Sequence, residues 1–232
     1  MAPLVRTLGA IFVSTQSVAR RDTEQPMNYL RIMQLTNTAC GLQGDIDTVN
    51  NLKDIQVSIA EFVNLAYYDI QVMMDDWKFM QKTLDTNITP ASYTITNADV
   101  GRWNKLYYSN KEVRRYAYED YLNSDWTTVP GPPSMYTVIP ETNEVVFNTP
   151  DQPYAIRARY VRVPQFLSND FDIPIIPVRF HTVLVYKAAA DFGSWLGNSE
   201  IEDRNMTKYD TLLLQLKRSE IPGKTVNIVP MA

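Results

Sequence analysis

Cysteine, histidine and glycine are nearly missing from this sequence, and each shortage removes a class of chemistry. The single cysteine, Cys40, excludes an intramolecular disulfide framework and a structural zinc site built from several thiolates, so stability has to come from packing. It sits in Thr38-Ala39-Cys40-Gly41-Leu42, a setting that predicts a small buried side chain and not a nucleophile. His181 is the only histidine. Multi-histidine metal sites are therefore removed, and any triad mechanism would hang on one residue. No Gly-x-Ser-x-Gly elbow accompanies it, and its place at a helix start in Arg179-Phe180-His181-Thr182 predicts polar packing. The 8 glycines form no Walker or dinucleotide spacing, so no phosphate-cradling loop is expected.

An excess of basic charge is also missing. With 22 Lys and Arg against 26 Asp and Glu, the net charge of -4 argues against a direct grip on nucleic acid. A mildly acidic wall would still let DNA slide past. No stretch approaches the roughly 20 apolar residues that a bilayer span needs, which predicts a soluble protein with no membrane partner. Residues 4–13 weakly imitate a secretory signal, but the run is short and Arg6 interrupts it. The first 26 residues are expected to remain as an arm laid on a partner or a neighbouring subunit.

Apolar residues make up 45% of the 232 residues, ample material for a core. Over residues 51–81, Ile55, Ile59, Phe62, Val63, Ala66, Ile70, Met73 and Trp77 recur at steps of three and four, which predicts a long amphipathic helix capped by Asn50 or Asn51. Gln56, Glu61, Asn64 and Gln71 fall on its other side. A shorter helix over 27–41 precedes it and ends at Gly41 or Gly44. Between residues 92 and 163, five segments (92–95, 105–108, 135–139, 144–147 and 155–163) are rich in β-branched and aromatic residues and are bounded by proline-containing turns, as strands are. Ser109 with Glu112 reads as a capping box ahead of a short helix over 113–121. Beyond Pro177 a helical face returns, and Ser199 with Glu202 makes a second capping box for a last helix whose acids come first and bases last.

The pattern predicts an α+β protein in which N- and C-terminal helices form a bundle around an inserted antiparallel β-sheet or small barrel. Its expected divisions are an arm at 1–26, helices at 27–82, a β-rich insertion at 83–173, helices at 174–222 and a tail at 223–232. Catalytic and metal-binding candidates are weak. Asp45 and Asp47 open like a calcium loop, but Val49 stands where a third oxygen ligand belongs, so helix capping is the expected use. Asp75 and Asp76 are adjacent on the expected helix and would point about 100° apart. Stronger signals are aromatic and apolar. Of 14 tyrosines and 4 tryptophans, Trp103, Tyr107, Tyr116, Tyr118 and Trp126 are candidates for an inter-subunit or tail interface, with core packing an equal alternative and a sugar-binding groove a weaker one. The terminal residues Val226, Ile228, Val229 and Met231 have no partner nearby in sequence and are expected to dock on another protein.

A resemblance runs through most of the chain, from Met27 to Leu216. It is carried by Met27-Asn28-Tyr29-Leu30-Arg31, by residues 62–71, by Asp76-Trp77-Lys78-Phe79, by Gly131-Pro132-Pro133, by Tyr160-Val161-Arg162-Val163-Pro164, and above all by Ile173-Pro174-Ile175-Ile176-Pro177 followed by Phe180-His181. In their order and spacing these segments resemble the head-to-tail adaptor, or head-completion, proteins of short-tailed bacteriophages and related viruses. The resemblance implies a homo-oligomeric ring of about twelve copies at the head-tail junction of the virion. Such a ring would sit under the portal protein, surround the DNA channel without sequence-specific DNA binding, and carry tail or nozzle proteins. It implies no catalytic residue, no metal and no cofactor. The portal is then the expected dock for the apolar tail. Competing readings are a carbohydrate- or receptor-binding virion module, from the aromatic strands, and a hydrolase depending on His181.

Overall fold

The computed structural model describes residues 25–123 and 130–221. Asn28 starts the first helix: its side-chain oxygen accepts the backbone N–H of Arg31 at 3.0 Å, and α1 (Tyr29–Ala39) follows. Tyr29, Ile32, Met33 and Thr36, spaced by three and four, turn inward, and Gly41 at φ +70 ends the helix. Asp45 and Asp47 do not cap the next element. Thr48 caps a single 3-10 turn at Val49–Asn51, and Asp54, at φ 44 and with no side-chain cap bond, precedes α2 (Ile55–Val72).

Helix α2 stops nine residues before the expected end at 81. Asp75 and Asp76 would place two carboxylates at the negative end of the helix dipole. The chain turns instead, and the fully buried Trp77 folds back to donate its indole N–H to the carbonyl of Ile70 at 2.7 Å. Trp77 is buried at helical spacing without being helical, which is why periodicity alone overran. A 3-10 turn at Lys78–Met80 leads straight into β1 (Gln81–Ile88), a strand not expected from its mostly polar residues.

Two four-stranded sheets follow. One has the order β1-β8-β3-β4, with β3 (Val100–Tyr108), β4 (Lys111–Glu112) and β8 (Tyr154–Arg162); the other has the order β2-β7-β6-β5, with β2 (Thr94–Ile95), β5 (Arg114–Arg115), β6 (Met135–Val138) and β7 (Val145–Phe147). All pairs are antiparallel except β5 with β6. Along β8, Tyr154, Ile156, Ala158 and Tyr160 point inward while Arg157 and Arg159 point out, as a period of two requires. Ser109 and Glu112 do not form a capping box. Ser109 and Asn110, both at positive φ, make the two-residue turn that pairs Tyr108 with Lys111, and Glu112 reaches Lys105 at 2.8 Å. The expected helix over 113–121 shrinks to α3 (Tyr118–Leu122).

Helices α4 (Thr182–Trp195) and α5 (Ser199–Glu220) complete the chain, and α4 packs against α1, α2 and α5. Asn198, one residue ahead of the expected Ser199, caps α5 by accepting from Ile201. At the crossing Gly193 has no room for a side chain: a Cβ there would lie 2.8 Å from the backbone nitrogen of Glu202. The fold is α+β with two hydrophobic clusters, one of helices α1, α2, α4 and α5 and one between the sheets around Trp103, Leu106, Tyr136 and Phe147.

Candidate functional site

Among its 18 residues α2 carries two charges, Glu61 and Asp69, and no base. Its inner side, Ile59, Val63, Ala66, Tyr67 and Ile70, is buried. At about 100° per residue, Val57, Leu65, Tyr68 and Val72 fall on the opposite side of the cylinder. There they are 43%, 49%, 38% and 47% exposed. A helix with apolar residues on both faces calls for cover on both, and the described residues cover this one on one side only.

The segment after β8 enlarges this outer face. Asn64 and Gln71, two turns apart, do not point into solvent as expected. Each amide pairs with one backbone unit of the passing chain: Asn64 donates to the Leu167 carbonyl at 3.0 Å and accepts its N–H at 2.8 Å, and Gln71 does the same with Gln165 at 2.9 Å each way. With Gln165 and Leu167 held against the helix, Phe166 between them turns outward, 61% exposed, and stacks on Tyr68 with ring centroids 5.6 Å apart. Asp172 tightens the next turn by accepting the N–H groups of Ser168 and Asn169, and these two bonds hold its carboxyl below the usual carboxylate range. Phe171 and Ile173 beside it are exposed. At the other border Phe62 meets the exposed Trp195 at 6.1 Å and the buried Phe192 at 5.9 Å. Between these borders lies a groove of about 520 Å³ lined by Val57, Ala60, Glu61, Phe62, Leu65 and Phe166 together with Asn64.

The aromatic candidates from the sequence are scattered. Trp103 is 3% exposed, donates its indole N–H to the Asn143 carbonyl at 2.8 Å and packs on Tyr160, so it is a core residue of the sheets and shows no surface to a partner. Tyr107 is half-buried beneath the Arg159 guanidinium, Tyr116 is half-buried beneath that of Arg114, and Tyr118 stacks on Tyr121. Trp126 and the tail residues Val226, Ile228, Val229 and Met231 lie outside the described residues. Gln56, Glu61, Asn64 and Gln71, spaced along the helix, mask the α2 patch in the sequence by resembling a solvent side. Val57, Leu65, Tyr68 and Val72, at steps of eight, three and four, were the available signal.

His181 is fully buried. The backbone N–H of Met27 donates to its Nδ1 at 3.1 Å, which leaves the proton on Nε2 to be donated to the Ile176 carbonyl at 2.9 Å. The ring thus clamps the entry of α1 to the proline-bracketed run before α4, and burial pulls its pKa down. Asp75 points at Arg102, 2.6 Å away on β3. Cys40 is buried, its thiol pushed up to about 12 by that burial. No three His, Cys, Asp or Glu among the described residues gather as a metal site, and no helix there is long and apolar enough to cross a membrane.

What the geometry offers is adhesive surface with firmly held edges, the equipment of an assembly component. No curated protein matches the chain. Residues 27–226 match a family model described as SU10 adaptor protein, and the chain belongs to that family of phage head-tail adaptors.

Proposed function

We propose that this adaptor works as a closed ring of about twelve copies between the portal and the tail, with DNA passing through its centre. The observation that carries the reading is α2, whose outer apolar face is left uncovered by the described residues and would find a second interior against a neighbouring copy. Family membership already makes the chain a structural part of a virion. In the proposed arrangement the helical layer forms the ring wall and the two sheets project towards tail or nozzle proteins. The tail residues Val226, Ile228, Val229 and Met231 dock on the portal. The role asks for no catalysis and no cofactor, and His181, with both ring nitrogens bonded to backbone, is suited to holding the wall together.

The test is a mass measurement on the purified 26.6 kDa chain, alone and mixed with portal protein. Ring-sized multiples in the mixture support the reading, and a single-subunit mass under both conditions overturns it.

A further inference from the structure

The groove on α2 is acidic and apolar: Glu61 lies in its lining, Asp69 stands about two turns further along, and the helix has no base. The first 21 residues of the chain are the reverse, with Arg6, Arg20 and Arg21 and no acid, and they include the apolar residues Leu4, Val5, Leu8, Ile11, Phe12 and Val13. The chain enters the described structure beside this groove. Met27 is pinned to His181, and the Tyr29 hydroxyl donates to the Ala60 carbonyl at 3.3 Å and accepts from Asn64 at 3.1 Å, both of them groove residues. Fourteen Cα-to-Cα steps lead from Val13 to Met27. At most about 3.6 Å each, they reach about 50 Å, which exceeds the roughly 45 Å width expected of a globular chain of this length.

We infer that residues 4–13 of each copy lie in the α2 groove of the adjacent copy, so that successive subunits are tied arm to groove. The inference rests on the ring reading above and deepens it. An arm and a groove are two different surfaces, which is what a head-to-tail contact that closes into a ring requires, whereas a single self-complementary patch would stop at a pair. Charge fixes the choice of occupant. Burying the apolar residues of the arm covers Val57, Leu65 and Phe166, and its arginines face Glu61 and Asp69 across the rim, where like-charged segments would repel.

The experiment uses the full chain carrying Leu8→Cys mixed with the full chain carrying Leu65→Cys, under mild oxidation, beside one chain carrying both substitutions. Cys40 does not compete, since it is buried. A covalent dimer in the mixture and a ladder of multimers from the double variant are expected. A bridge confined within single chains, or no bridge at all, overturns the proposal. In parallel, Leu65→Arg, at a half-exposed position, and removal of residues 1–24 should each raise the concentration needed for ring assembly at least tenfold while thermal unfolding of the subunit stays unchanged. If intact chains form rings and both variants form them equally well, the arm is not the tie and the ring reading stands. If intact chains never exceed a single subunit even with portal present, the ring reading fails and the arm proposal falls with it.

Discussion

Both ring nitrogens of His181 are engaged with backbone groups, one of them 154 positions away at Met27, and this makes one side chain responsible for a pH response. Burial holds its folded pKa below the ordinary value of roughly 6.5, so on acidification the unfolded chain takes up the proton first. Stability is therefore full above about 6.5, declines as pH falls through the gap between the two values, and levels off once the folded imidazole is also protonated. Urea unfolding between pH 7 and pH 5 should show this decline, and His181→Phe should lose it while costing about 1–3 kcal/mol for the unpaired Met27 N–H and Ile176 carbonyl. Parallel declines in both proteins would remove His181 as the source. The lowered carboxyl of Asp172 does not interfere, because its contribution is lost only as pH falls below the ordinary carboxylate value of about 3.9. Exposed ion pairs such as Asp85 with Arg157 contribute little either way.

Among the elements, α4 and α5 cross tightly, and Gly193 permits it. Gly193→Ala places a methyl 2.8 Å from the Glu202 backbone nitrogen and 2.9 Å from Ile201 Cγ2. Neither can swing away as a flexible side-chain end would, so α5 has to shift. A loss of about 1–3 kcal/mol is expected. Thermal unfolding would read this as roughly 2–4 °C per kcal/mol, and an unchanged midpoint would show that the crossing has slack. Helix α2 illustrates the opposite use of an element. Its inner face is packed, its two amides grip the backbone of residues 165 and 167, and its outer apolar side chains Val57, Leu65 and Val72 stay exposed, with Tyr68 stacked on Phe166 beside them. The grip matters because it decides which way Phe166 faces, and through it the shape of the groove.

For the whole molecule, the two hydrophobic clusters give a helical layer and a sheet layer with different surfaces, one apolar along α2 and one lined with charged residues along β8. In the proposed ring such unlike faces would meet two different neighbours along the channel and further copies of the chain around it. Removing residues 223–232 should leave a chain that still folds and still meets its own copies but no longer joins portals, measured by co-sedimentation with portal rings and by the yield of mature heads. Normal head maturation would dismiss the portal-docking role of Val226, Ile228, Val229 and Met231.

The sequence by itself determined the α+β class, the order of helices, strands and helices, and the alternation along β8, because these depend on periods of two and of three to four residues that neighbours in the chain express directly. It also pointed to the adaptor family through ordered short segments, and to packing as the role of Cys40 and His181. Tertiary structure alone decided that α2 ends at Val72 with Trp77 folded back beneath it, that the polar β1 is a strand, and that Ser109 and Asn110 form a turn. It alone decided which aromatic residues are surface: Trp103 went to the core and Phe166 to the outside. The physical reason is the same in each case. Whether a side chain meets solvent, core or a passing backbone depends on what distant segments bring to it, and Asn64 and Gln71 are bonded to residues 167 and 165, about a hundred positions away in the chain.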